Sequence, residues 1–465
     1  MIRSFTALLC TLAPLPLAAQ ALSPAETAQI DAVVADALKD TGVPSASIAI
    51  VRGGRIVFAR AYGKQSETIA KADPAALYQI ASISKQFTAA AILLLQDQGK
   101  LTLDDHVSRY VPGITGGDTI TIRQLLSHTA GLQDYWPQDY SFAAMATPVT
   151  PRQIVDRWAR KPLDFAPGTQ WQYSNTGYVV AGMIVEKASG QPLLAFLQSH
   201  ILRPLGIRAI DQDLAIGAGF PQGYKRYGLG PVRVETPAAH GWLYAAGELA
   251  MSAGDLAKWD VARLTRSILP AADWALQETP AKLADGSPTG YGLGVDIGIS
   301  DGRRFVEHSG EAVGFLSENI VYPDDHVAVV VLVNAWFGNA ESRIAAGISK
   351  IVLPAAAAAG ADDTAALAQA KSAYAQLQSG TLDRAILTDD ASFYFTPAAR
   401  ADYATSLAPL GKPGFFVQTG RARLRGGFVN RNYRLSYPGR TLTITTYAEE
   451  RAGGRYEQFL VTPAE

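Results

Sequence analysis

Residues 82–99 read Ser82-Ile83-Ser84-Lys85 followed by QFTAAAILLLQDQG. Apolar residues at Phe87, Ala90, Ala91, Leu94 and Leu95 recur at helical spacing and Gly99 supplies a stop, so the segment reads as a helix opening at the serine. Lys85 then stands one turn beyond Ser82 on the same face. The N–H groups that a helix start leaves unpaired surround the serine. A serine hydroxyl needs a base to become a nucleophile, and an amine serves if burial or a neighbouring cation lowers its pKa. Taken alone, Ser-x-x-Lys also describes an N-capping serine followed by a surface lysine, because so short a pattern recurs by chance.

Outward from that helix lie two further motifs. Tyr173-Ser174-Asn175 sits inside APGTQWQYSNTGYVVAGMIVEKASG, where Pro167-Gly168 marks a turn and Ser174 or Asn175 caps the apolar helix that follows. A tyrosine oxygen can relay a proton between nucleophile, base and leaving group. An asparagine offers a donor and an acceptor to a substrate amide. The third motif, His308-Ser309-Gly310, closes the strand-like RFVEHSG, where a small residue and a glycine let a substrate carbonyl approach the backbone. A cation or hydrogen-bond donor at its start would orient a substrate. Singly, these read as a capped helix and a structural histidine.

At the N-terminus, Arg3 precedes an apolar stretch from Phe5 to Leu17, and Ala19-Gln20-Ala21 offers a small-residue cleavage site. Residues 1–21 are therefore expected to be a secretory signal and the mature chain to be secreted or periplasmic, with no integral membrane span after its removal. Pro14 and Pro16 argue against a buried helix or a membrane span there. Cys10 is the sole cysteine and falls within this leader, preceded by Leu8-Leu9 rather than the small residues of a lipidation site. The mature chain then has no thiol for disulfides, cysteine catalysis or thiolate metal sites.

Ser23 caps an amphipathic helix that stops at Gly42. Ser45–Val51 and Arg55–Ala61, joined by Arg52-Gly53-Gly54, read as a hairpin. Strands return at Tyr291–Ile297, Arg304–Glu307, Phe315–Tyr322 and Val327–Asn334, before a helix near Ala340–Val352. Strands at both ends with helices between predict one sheet, closed by sequence-distant segments and packed against a helical region. The alanine-rich stretch 354–363 reads as a linker. Residues 364–465 read as a small α+β accessory domain, with a helix at Thr364–Gln378, a second near Asp383 and antiparallel strands after Gly414. The main domain is then 22–353.

The 465 residues are 48% hydrophobic and 18% charged with a formal net charge of −1. That supports a large packed core and gives no electrostatic basis for nucleic-acid binding. No Gly-x-Ser-x-Gly elbow, His-Glu-x-x-His, Gly-x-Gly-x-x-Gly or P-loop occurs, so neither a metal nor a nucleotide cofactor is implied.

The three motifs each occur once, in the order Ser, Tyr, His. In that conjunction the chain resembles the class C β-lactamase and D,D-peptidase (peptidase S12, penicillin-recognising) family of serine hydrolases. TIRQLLSHTAGL at Thr121–Leu132, Gly241–Trp259 and Phe315–Asn334 resemble its other recurring stretches, and the likeness spans roughly residues 25–352. The resemblance implies a β-lactamase/transpeptidase-like α/β fold, an antiparallel sheet flanked by helices plus a helical region. It implies acylation of Ser82 by a small-molecule or peptide substrate, with Lys85 and Tyr173 sharing general-base and general-acid work. Asn175 would hold Lys85 and the substrate amide, and His308, Ser309, Gly310 and Glu311 would form the substrate-binding edge. The oxyanion hole would be the N–H groups of Ser82 and Glu311. Many β-lactamases of the family carry Lys-Thr-Gly where this chain has His308-Ser309-Gly310, and an imidazole is a weaker partner for a substrate carboxylate than an ammonium. Glu248 stands where the family often has glycine. The expectation is therefore an esterase or D-amino-acid peptidase ahead of a β-lactamase, with a degenerate binding protein as the rival from another class. His128 is read as structural. Neither the oligomeric state nor the order of proton transfer between Lys85 and Tyr173 can be read from the sequence.

Overall fold

The computed structural model describes residues 21–463 except 70, 139, 228, 301–302, 354–360, 426–427 and 452. Residues 1–20 of the expected leader, and most of the expected linker, lie outside the described residues. Two compact units are present, the first running to Leu353 and the second made of Pro354–Glu465 with Gly298–Phe305. Among the described residues, no helix is long and apolar enough to cross a membrane.

The first unit is built on a sheet whose strand order is Arg55–Gly63, Ser45–Arg52, Val327–Val333, Phe315–Tyr322, then the strands Arg303–Ala312 and Asp296–Ser300, of which Val306–Ala312 and Asp296–Ile297 belong to this unit. N-terminal and C-terminal segments meet at its centre, with Ile48 opposite Val331 in an antiparallel ladder. Val327–Val333 is an unbroken apolar run, VAVVVLV, and all seven residues are buried, as expected for a strand covered on both faces. On one face, alternate residues Ala49, Val51, Ala328, Val330 and Leu332 join the main core with Leu256 and Trp259 of the helix Ala253–Thr265. The other face packs under the helices Pro24–Thr41 and Ala340–Val352. Ser23 caps the first of these in a capping box with Glu26, and Gly42 ends it at φ 75°.

Two strand boundaries differ from the sequence reading. The stretch read as Tyr291–Ile297 enters the sheet only at Asp296 and runs to Ser300. Before it the chain turns through Gly294 at φ 78°, where a Cβ would sit 2.8 Å from the Lys85 carbonyl oxygen. The close approach to the Ser82 helix, rather than β propensity, sets the path there. The strand read as ending at His308-Ser309-Gly310 instead continues to Ala312, so the motif lies within the strand. Phe315 pairs with Ala312 and extends that ladder past the motif.

In the second unit four antiparallel strands, Phe415–Arg425, Phe428–Tyr437, Arg440–Glu449 and Tyr456–Pro463, pair in sequence order. Alternate residues Tyr433, Leu435, Ile444 and Phe459 share a core with Tyr374, Leu377 and Leu407 from the helices Ala361–Ser379 and Pro397–Leu407. The first of these helices begins three residues inside the stretch read as linker. Near Asp383 the chain makes a short 3-10 turn, Arg384–Ile386, with a helix at Asp389–Tyr394 after it.

Candidate active site

Ser82 lies in a 3-10 turn, Ala81–Ser84, that runs directly into the helix Lys85–Asp97. Ala81 is held at φ 49°, a strained conformation for a residue with a Cβ. The segment 245–249 pins the turn and the helix that follows. Leu249 N donates to Ser84 Oγ at 3.0 Å, Ile80 N donates to Leu249 O at 3.0 Å, and Thr88 Oγ1 donates to Ala245 O at 2.9 Å. On the far side Gln86 is locked into a buried network. Its Oε1 accepts from Trp259 Nε1 at 3.0 Å and Arg263 at 2.7 Å, and its Nε2 donates to Asn319 Oδ1 at 3.0 Å. The helix start is therefore fixed from both sides before any substrate arrives.

Lys85 is fully buried. Its Nζ has three acceptors around it: Ser82 Oγ at 2.9 Å, Asn175 Oδ1 at 2.9 Å and Ala246 O at 2.8 Å. Burial lowers its pKa from 10.5 to about 7, against the opposing charge of Asp134. Tyr173 hydrogen-bonds Ser82 as well, and burial pushes its phenol well above the usual tyrosine range. Lys85 Nζ is 4.9 Å from the Tyr173 ring centre.

Asn175 opens the helix Asn175–Ser189, which Ser174 caps by accepting from Gly177 N. Its amide orientation follows from its partners: Oδ1 accepts from Lys85, while Nδ2 donates to Asp134 Oδ2 at 3.2 Å. Asp134 Oδ1 also accepts from Asn175 N at 3.1 Å and from Trp136 N at 3.2 Å. Burial raises the Asp134 pKa, and these hydrogen bonds oppose the rise.

His128 does more than fill space. Its carbonyl accepts from Gln172 N at 2.9 Å and its Nδ1 accepts from Ser174 N at 3.1 Å, so it grips the chain on either side of Tyr173. The two rings lie 4.3 Å apart, and His128 itself adopts φ 60°. Burial, then the charge of Lys85, keeps the imidazole neutral well below its ordinary range. The sequence signal that could have found it is its place in SHTAGL, two residues after the short helix Ile122–Leu126 ends.

His308 is also buried and neutral, its pKa lowered to about 3 by burial first and Lys85 second. Its Nδ1 faces the Ser309 carbonyl and so carries the proton, which leaves Nε2 to accept from Tyr291 Oη at 2.8 Å. It offers a substrate no positive charge, in contrast with the orienting cation that the sequence left open. Gly310 packs where a Cβ would collide with Ser317 Oγ and the Ile80 carbonyl. The strand thereby lies against the backbone just before Ser82, which brings Ser309 and Glu311 to the cleft. Ser82 is the second residue of its turn, so its N–H is among those a helix start leaves free.

The sequence-predicted residues thus converge. Ser82, Tyr173, Asn175, His308, Ser309 and Glu311 line one cleft, Lys85 lies beneath it, and Gly310 sets its wall. Asp134 and Asp296, which the sequence did not single out, line it too. Each is an isolated acid in a loop or at a strand start, with no spacing pattern to mark it.

A family model described as Beta-lactamase matches residues 30–351. The chain is 29% identical over 321 residues to "Protein flp" of Staphylococcus aureus (strain MW2), covering 66% of this chain and 62% of that protein. It therefore spans less than two thirds of the length of that curated relative. Among solved structures it is similar to a D-stereospecific amidohydrolase from Streptomyces sp., 29% identical, TM-score 0.59, covering 69% of this chain and 97% of that one. The octameric penicillin-binding protein homologue from Pyrococcus abyssi shares the fold at 23% identity and TM-score 0.61, over 94% of this chain and 96% of that one. The fold, the matched span and the relatives agree: the chain belongs to the β-lactamase family, of the class C β-lactamase and transpeptidase-like type.

Proposed function

We propose that the chain is an exported serine hydrolase that cleaves an ester or amide bond through an acyl-serine on Ser82. The observation that carries the proposal is the Lys85 amine, buried, lowered to about 7, and 2.9 Å from the Ser82 hydroxyl. Two of its hydrogens go to the Asn175 and Ala246 oxygens, which can only accept. In the free amine the lone pair is then left for Ser82 Oγ–H. Tyr173, held as a phenol, is the group with a proton to give.

In this reading Lys85 takes the Ser82 proton as Oγ attacks the carbonyl carbon. The oxyanion is held by the N–H groups of Ser82 and Glu311, donors of a kind that contribute roughly 10²–10³ in rate. As the intermediate collapses, Tyr173 gives its proton to the leaving atom and the neighbouring Lys85 ammonium restores the phenol. Water then enters on the same path: its proton passes to the amine, its oxygen attacks the acyl carbon, and Ser82 leaves with a proton returned.

The neutral, internally bonded His308 supports an esterase or amidase acting on amino-acid substrates over a β-lactamase, whose substrates carry a carboxylate. The similarity to a D-stereospecific amidohydrolase supports amide substrates. Export rests on the N-terminal segment, and an accessory role for residues 364–465 belongs to the same proposal. The test is intact-mass spectrometry of the protein exposed to a fluorophosphonate, a fluorescent penicillin and a p-nitrophenyl ester, beside Ser82→Ala. An adduct that the Ser82→Ala variant loses is expected. A folded wild-type protein with neither adduct nor turnover would instead identify a binding protein built on this fold.

A further inference from the structure

Asp296, the first residue of the strand Asp296–Ser300, lines the cleft with Ser309 and Glu311. Among the described residues its carboxylate has no hydrogen-bond or ion-pair partner in the protein. Burial pushes it up to about 6, and no nearby cation pulls it back. The groups that feel its charge are the acids Glu307 and Glu318 and the phenols of Tyr173, Tyr178 and Tyr291. A half-buried carboxylate set among acids and phenols is stabilised by a cation brought from outside.

The rest of the cleft carries the same sign. Asp134 and Glu311 also line it, and no Lys or Arg does so among the described residues. Lys85 is buried and committed to Ser82, Asn175 and Ala246, and His308 is neutral. Asp134 is already engaged by Asn175 and Trp136, and Glu311 has an interaction of its own. Asp296 is the acid left for a ligand.

We infer that the cleft selects esters or amides bearing a protonated amine, and that Asp296 is the residue that pairs with that amine. The inference rests on the hydrolase reading of the same cleft and deepens it by fixing the charge of the substrate. A substrate carboxylate would meet like charge there.

The experiment compares kcat/KM for alanine p-nitroanilide of each hand with its N-acetyl and N-succinyl derivatives at pH 7, where an α-amine is largely protonated. The wild-type protein is expected to favour the free amine over the acetylated compound by about tenfold or more, and to disfavour the succinylated one further. Asp296→Asn is expected to bring the amine-to-acetyl ratio to within about threefold of unity, while Asp296→Glu keeps the preference. Fluorophosphonate labelling of Ser82 in each protein separates the two hypotheses. A wild-type protein that neither labels nor turns over any compound overturns the hydrolase reading. A protein that labels and hydrolyses, yet treats the acetyl or succinyl compound as well as the free amine, overturns the substrate inference alone. So does an Asp296→Asn variant that labels and keeps the wild-type ratio. Should that variant fail to label, the wild-type order of the three compounds decides.

Discussion

If Lys85 is the group that takes the proton from Ser82, the pH dependence of acylation follows from its surroundings. Burial lowers the amine from 10.5 to about 7, so it is protonated and useless as a base below that value. The free-amine fraction climbs from about one tenth at pH 6 to about nine tenths at pH 8, a rise of nearly tenfold followed by a plateau. Two rival bases give other curves. An unshifted lysine, or the Tyr173 phenol that burial pushes well above its usual range, would make the rate climb about tenfold per pH unit through pH 9 with no plateau. The assay is kcat/KM for a neutral p-nitrophenyl ester from pH 5 to 9.5, since that ratio reports groups of the free enzyme. Carboxylates in and near the cleft also titrate, so the limb needs an assignment. Asp134→Asn supplies it, because removing the anion that favours the ammonium must move the limb to lower pH. A rate still rising at pH 9.5, or a limb that moves upward in Asp134→Asn, would refute Lys85 as the base.

Three more substitutions test how the site is held. Asn175→Leu removes one of the three Lys85 acceptors and the link to Asp134, and acylation measured by stopped-flow is expected to slow by about a hundredfold or more. His128→Ala frees the backbone on both sides of Tyr173, so kcat is expected to fall about tenfold with Ser82 still labelled. His128→Asn, whose amide oxygen can accept from Ser174 N, should recover part of that loss, and equal losses in the two variants would deny the positioning role. Gly310→Ala drives a Cβ into the Ile80 carbonyl and is expected to cost about 1–3 kcal/mol in urea unfolding. An unchanged midpoint would show that the strand does not press on the Ser82 turn.

The sheet was legible because its strands announce themselves locally. VAVVVLV can be buried on both faces only inside a sheet, and Arg52-Gly53-Gly54 between two β-rich runs leaves little but a hairpin. What local pattern did not carry was where a strand begins when tertiary contact decides it. Tyr291–Val295 looks as apolar as Asp296–Ser300, but Gly294 passes against the Lys85 carbonyl and Gly292 against Gln277, so the chain there follows the helix and not the ladder. The same holds for His308-Ser309-Gly310. A glycine reads as a strand end in one dimension, and here it is the point at which a strand must touch the neighbouring backbone.

The site divides along the same line. Ser82, Lys85, Tyr173 and Asn175 were legible because a helix period places two of them on one face and short motifs hold the others. Asp134, His128 and Asp296 were not, since a lone polar residue in a loop carries no period and gains its role only from what the fold sets beside it. Yet Asp134 and His128 hold the motif residues in place. Ser-x-x-Lys on a solvated helix would give an ordinary ammonium near 10.5, unable to activate a hydroxyl. Here burial brings the amine to about 7 against the opposing charge of Asp134, while Asn175 Oδ1 and the Ala246 carbonyl occupy two of its hydrogens. The motif therefore names the reacting atoms, while the burial and the hydrogen-bond partners that set the amine come from segments 90 and 161 residues away in sequence, assembled by the fold. In the proposed mechanism, a loop change near Ala246 that left every motif residue intact but exposed the amine to water would return it toward 10.5 and leave Ser82 without a base at neutral pH.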